Sequence, residues 1–156
     1  RREELKPTEA MDVGTEREPL ARQAYMVRTG ELVSEAGLCV HDRLDCGASP
    51  DGWIGDGGLL ELKCPQPLAH LDYLRLPSGK CPSKYVPQIQ GQLWITGRQW
   101  CDFMSYNPDF PEGAQTALRR VHADPAYHVQ LELAIRLFLA DVAEEQQFIE
   151  NYREAA

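Results

Sequence analysis

No window of the sequence approaches the roughly 18 uninterrupted apolar residues of a membrane span, and nothing near Arg1 has the blocks of a signal peptide. No membrane partner and a cytoplasmic location are therefore expected. There is no CxxC pair and no clustered cysteine spacing, and the five cysteines, Cys39, Cys46, Cys64, Cys81 and Cys101, are odd in number. That pattern argues against a zinc or iron–sulfur centre and for reduced thiols. Internal repeats, low-complexity tracts and linkers are also missing. Positive charge is in short supply, with 16 Lys and Arg against 24 Asp and Glu and a net charge of −8. A general DNA-coating protein is disfavoured, because sequence-independent affinity comes from cations meeting phosphates. An enzyme that grips DNA locally, with metal ions over its carboxylates, remains compatible.

What is present fits one folded unit. The 156 residues, 43% hydrophobic and 26% charged, suffice for a single core spanning residues 1–156 and a single active site. Thr15 and Glu18 have the spacing of a capping box, and Leu20, Ala21, Ala24 and Tyr25 recur at helical spacing, so a helix is expected over residues 16–27 with Gly30 as its stop. Leu32, Val33, Leu38 and Val40 alternate irregularly. Short extended runs follow around residues 46–49 and 59–63, separated by the Gly-rich turn at 55–58, and read as neighbouring strands. A helix is expected over 82–95, with Pro87 in its first turn and Gly97 ending it, then strands over 100–106 and 116–122. The tail from 125 to 153 reads as an amphipathic helix whose stripe includes Leu131, Ile135, Phe138, Leu139, Val142, Phe148 and Ile149. The order of elements implies an α/β or α+β core, a central mixed β-sheet flanked by α-helices.

The chemistry lies in Ser49-Pro50-Asp51-Gly52 and, after nine residues intervening between Asp51 and Glu61, in Glu61-Leu62-Lys63. In a strand alternate side chains share a face, so Glu61 and Lys63 project together while Leu62 enters the core. Asp51, at the start of the turn leading into that strand, brings a second carboxylate beside Glu61, and two hard oxygen donors suit magnesium. The arrangement reads as a metal-assisted phosphodiesterase, in which a bound divalent ion makes water nucleophilic, neutralises a phosphoryl oxygen and stabilises the leaving alkoxide. Lys63 would orient or deprotonate the water, with metal charge and partial burial expected to lower its pKa. The bland alternative is an ion pair on a solvated sheet beside an ordinary turn.

The full string, S-P-D-G, a Gly-rich turn and then L-E-L-K-C-P, resembles the lambda-exonuclease and YqaJ-like phage recombinase family of the PD-(D/E)XK nucleases, which carries G-L-E-L-K-C-P at the same spacing. Residues 85–94, Y-V-P-Q-I-Q-G-Q-L-W, are similar to the family's Y-x-x-Q-V-Q helix, which places Gln88 at the active site as an uncharged donor and acceptor. Upstream, G-T-E-R-E-P-L-A-R resembles the family's W-G-x-x-x-E-x-x-A-R helix; Glu18 takes the place of its metal-site glutamate, although Val13 replaces the tryptophan and Pro19 intrudes. Met11 falls where the family has an apolar wedge between separating strands, with core packing as its alternative.

The resemblance covers residues 11–106. It implies a restriction-endonuclease-like core and a metal site of Asp51, Glu61, the Leu62 backbone carbonyl and Glu18. It further implies Mg2+, with Mn2+ able to substitute, and catalysis by Asp51, Glu61, Lys63 and Gln88. The implied activity is a 5′-to-3′ double-stranded DNA exonuclease of phage or prophage origin in a bacterial host cell. Such an enzyme leaves 3′ overhangs for a single-strand annealing protein and forms a homotrimer ring around double-stranded DNA ends. The family's N-terminal arginine and serine that bind the 5′-phosphate have no counterpart here, which suggests a missing N-terminal segment and leaves Ser49 and Gln88 as that pocket's remaining members. A restriction-type endonuclease and a catalytically inactive DNA-binding module are the competing readings. His41-Asp42 is read as a turn, Asp102, Asp109 and Glu112 as solvated charges, and Glu144, Glu145, Glu150 and Glu154 as the wet face of the last helix.

Overall fold

The computed structural model describes the backbone of residues 9–154 and the side chains of residues 16–153. Helix α1 (Glu9–Thr29) is followed by four short strands, β1 (Val33–Ser34), β2 (Cys39–Val40), β3 (Gly47–Ala48) and β4 (Gly52–Ile54). Then come β5 (Gly58–Lys63), α2 (Pro67–Leu74), α3 (Val86–Thr96), β6 (Trp100–Tyr106), β7 (Thr116–His122) and α4 (Pro125–Glu154). The five-stranded sheet has the order β1-β4-β5-β6-β7 and is antiparallel except for the central β5–β6 pair. A parallel pair needs a crossover connection. Here α2 and α3 provide it, and that crossover carries side chains back over the face of β5.

The two faces of β5 divide its chemistry. Leu60 and Leu62 pack on the α1 side with Ala21, Tyr25, Ile54 and Met104. Leu59 lies on the other side with Phe103, Ile89, Leu93 and Tyr73 from α3, α2 and β6. Strand alternation therefore places Glu61 and Lys63 on the α3 side, as the sequence implied. Two glycines fit where no larger residue would. A Cβ at Gly58 would lie 2.2 Å from the Trp100 ring, and one at Gly52 would lie 2.4 Å from Cγ1 of Val33.

Several expectations need correction. The first helix begins at Glu9, so Thr15 and Glu18 lie inside it and form no capping box. The runs at 46–49 and 59–63 are not sheet neighbours: β3 pairs with β2 in a separate ribbon, and the neighbour of β5 is the three-residue β4. Helix α2 had no expectation at all. Asp102 is not solvated but 2% exposed. It accepts a hydrogen bond from the Tyr25 hydroxyl at 2.7 Å and a bidentate pair from Arg120 at 2.8 and 2.9 Å, and that guanidinium lies over the Trp100 ring. The stripe of α4 is only partly used: Leu131, Ile135, Leu139 and Val142 are half-buried, whereas Phe138, Phe148 and Ile149 are exposed.

Other expectations hold. Strands β6 and β7 have the expected bounds, and α3 ends at Gly97, whose φ of 67° needs a residue without a Cβ. His41 sits in a turn, its Nδ1 accepting from the backbone amides of Arg43 and Leu44. Asp109 and Glu112 are exposed, as are Glu144, Glu145 and Glu150. All five cysteines are free, and no described helix is long and apolar enough to cross a membrane.

Candidate active site

The β4–β5 hairpin sets the first carboxylate. Asp51 immediately precedes β4; its amide donates to the Leu60 carbonyl at 3.0 Å, and its Oδ2 accepts from the Leu62 amide at 2.6 Å. The two bonds hold Asp51 against the strand that carries Glu61. Burial and the neighbouring Glu61 charge push the Asp51 carboxyl up to about 6, against the counter-effects of the Leu62 amide and Lys63, with a smaller contribution from Glu18. Two carboxylates forced together in a partly buried site repel each other, and binding a dication relieves that repulsion.

Glu61 is fully buried, which is tolerable for a carboxylate only when its lone pairs are met. Its Oε1 accepts from Lys63 Nζ and from Gln88 Nε2, the latter at 2.7 Å, and its Oε2 accepts from Gln92 Nε2 at 2.7 Å. The ion pair on a solvated sheet is thereby set aside, since one partner is out of water altogether. Lys63 also lies over the Tyr85 ring. Burial would lower the pKa of Lys63, but the charge of Glu61, its hydrogen bond and Asp51 outweigh it, and the ammonium is held above its ordinary value. In the metal-free site the carboxylates thus outweigh burial.

The remaining assignments separate by distance from this centre. Glu18 is half-exposed and accepts from Arg22 at 3.1 Å; it touches the centre through its charge on Asp51. Among the described residues no three acidic, histidine or cysteine side chains gather as a metal cluster, so the carboxylate core is the pair Asp51 and Glu61. This donor set of hard, partly buried oxygens fits magnesium or manganese, with the Leu62 carbonyl as the main-chain candidate. Ser49 and Gln88 line a cavity of about 270 Å³ together with, among others, Gln92, Pro87, Leu131 and Ile135. The Met11 side chain lies outside the described residues. Cys64, next to the site, is no nucleophile, because burial pushes its thiol up to about 11.

Gln92 is the residue that the sequence reading missed. Its signal was available: Tyr85, Gln88 and Gln92 fall at helical spacing on one face. The intervening Gln90 points elsewhere, donating to the His122 carbonyl and accepting from the Asp124 amide and His128, so it ties α3 to the start of α4.

A mixed sheet flanked by helices, with Glu61 and Lys63 on its central strand and Asp51 held against it from the start of the β4–β5 hairpin, is the restriction-endonuclease-like α+β core that the sequence implied. The YqaJ-like viral recombinase domain matches residues 2–99, and the chain belongs to that family. It is similar to the crystal structure of an alkaline exonuclease (LHK-Exo) from Laribacter hongkongensis, with 40% identity and a TM-score of 0.88 over 94% of this chain and 75% of that one. The same enzyme in complex with dAMP matches at 39% identity and a TM-score of 0.91, over 97% and 78% of the two chains. A phage related exonuclease from Haemophilus somnus 129PT shares the fold, with a TM-score of 0.68 over 91% and 76% of the chains at 10% identity. No curated protein sequence matches the chain.

Proposed function

We propose that this chain is a divalent-cation-dependent exonuclease that degrades double-stranded DNA from the 5′ end and leaves a 3′ single strand. The observation that carries the reading is the convergence of Asp51, Glu61 and Lys63 on one face of β5, with Gln88 reaching over them from the crossover. The similarity to an alkaline exonuclease at 40% identity supports the same reading.

Asp51 and Glu61, with the Leu62 carbonyl, would hold the cation, and Glu18 would add negative charge at its edge. A bound magnesium or manganese ion supplies an activated water and neutralises phosphoryl charge. The protein's own part is positional. Lys63, paired with Glu61, would orient the water and offset negative charge on the phosphoryl oxygens. Gln88 can contact water or phosphate without adding repulsion. Ser49 and Gln88, which line the cavity, would take part in holding the 5′-phosphate, and Met11 would wedge the strands. A homotrimer ring would collect a few cations per subunit around a DNA channel despite the net charge of −8, and the 3′ strand would pass to a single-strand annealing protein.

The test is nucleotide release from linear 5′-phosphorylated duplex beside a covalently closed circle, with Mg2+, Mn2+ or EDTA. The reading expects metal-dependent loss of the linear substrate and survival of the circle. Cutting of the circle would replace it with the endonuclease reading, and inertness toward both would replace it with the DNA-binding module.

A further inference from the structure

Building on that reading of the site, we propose that Gln92 is a positioning residue that fixes the plane of the Glu61 carboxylate. Gln92 is 2% exposed and Glu61 fully buried, and the Gln92 amide is the donor to Glu61 Oε2, at 2.7 Å. The donors to Oε1 are different in kind. Lys63 keeps 26% of its side chain in solvent, and Gln88 is exposed and lines the cavity. Both can turn toward water or substrate during a reaction cycle; Gln92 borders the same cavity but, at 2% exposure, is the most confined of the three donors. A carboxylate torsion is broad and roughly two-fold, so without a fixed donor on Oε2 the group could rotate whenever Lys63 or Gln88 is drawn away.

The far end of the same amide supports this assignment. An ionised carboxylate only accepts, so the Gln92 nitrogen must face Glu61 and its oxygen must face away. That oxygen, Oε1, is one of two buried side-chain atoms without a partner among the described residues. The charge-assisted bond to Glu61 is the strongest demand on the amide and sets its orientation.

The experiment uses the whole chain with Gln92→Leu, and with Gln92→Met as a second apolar replacement should the branched side chain disturb packing. Mn2+ affinity is measured by calorimetry without DNA, kcat and KM on linear duplex at saturating Mn2+, and folding by circular dichroism. Loss of a group that orients a metal-binding carboxylate typically costs about 10- to 100-fold in metal affinity or activity. The expected result is a loss of that size in Mn2+ affinity and in kcat, with KM for DNA unchanged, in a variant that retains its fold. Parental Mn2+ affinity and kcat in either folded variant would overturn the inference and make Gln92 a packing residue. A parental protein that releases no nucleotides would instead overturn the reading of the site, and this inference with it.

Discussion

Removing one active-site charge should make the protein more stable. Asp51 is raised from 3.8 to about 6 by burial first and the Glu61 charge second, so at neutral pH the metal-free fold holds a carboxylate that the unfolded chain would ionise more easily. A rise of that size corresponds to at most ~3 kcal/mol, at about 1.4 kcal/mol per pH unit; partial exposure of Asp51 reduces this to about 1–2 kcal/mol. Asp51→Asn deletes the charge and keeps an oxygen to accept from the Leu62 amide. For a chain of this size each kcal/mol moves the melting temperature by about 2–4 °C, so the variant should melt about 2–8 °C higher in EDTA at pH 8.

The sign follows from proton binding. Below about pH 4 Asp51 is protonated whether the chain is folded or not, and parent and variant differ little. Between about pH 4 and 6 the folded parent holds a proton that the unfolded chain has released, so its stability falls as pH rises. Above about pH 6 the gap is constant. Thermal melts of both proteins across this range in EDTA are the assay, repeated with Mn2+, which should stabilise the parent more than the variant. A variant no more stable than the parent at pH 8, or a gap as large at pH 4 as at pH 8, would refute the argument.

Lys63→Ala should lower kcat by about 10² to 10⁴ while the folded protein still binds Mn2+; hydrolysis near the parental rate would remove Lys63 from the mechanism. If Ser49 and Gln88 hold a terminal phosphate, initial rates on 5′-phosphorylated duplex should exceed those on 5′-hydroxyl duplex, and Ser49→Ala should narrow the difference. Equal parental rates on the two ends would return Ser49 to a plain turn residue. Asp102→Ala strips Arg120 and the Tyr25 hydroxyl of a shared acceptor and should destabilise the fold by about 2–4 kcal/mol in urea, and an unchanged midpoint would contradict the buried network.

The parts of the fold that were legible from sequence are those whose signal is local and long. The seven-residue strands β6 and β7 are long enough to show as extended runs, although β6 is buried along nearly all of its length, and α3 advertises its limits with Pro87 and Gly97. Two- and three-residue strands such as β2, β3 and β4 carry too few side chains to show a period, so the ladder partner of β5 could not be read. Asp102 looked solvated because a charge normally is; its guanidinium partner lies 18 positions away and is brought opposite by the register of β6 and β7. The site was the most legible part, since Glu61 and Lys63 are two apart on one strand and Asp51 reaches them through one hairpin. Gln92, one helical turn beyond Gln88, carries neither charge nor a motif position of its own, and its role shows only once the helix is laid over β5.

The close fit of Gly58 beneath the Trp100 indole restricts how this sequence can diverge. The two positions face each other on the α1 side of the sheet, opposite the carboxylates, so neither takes part in chemistry. Any side chain at 58 must displace the indole or lever β5 away from β6, and three residues further along β5 is Glu61. The tolerance of the catalytic strand is thus set by a lock on its back, and the two positions should drift together or not at all: a relative that carries alanine at 58 should carry something smaller than tryptophan at 100.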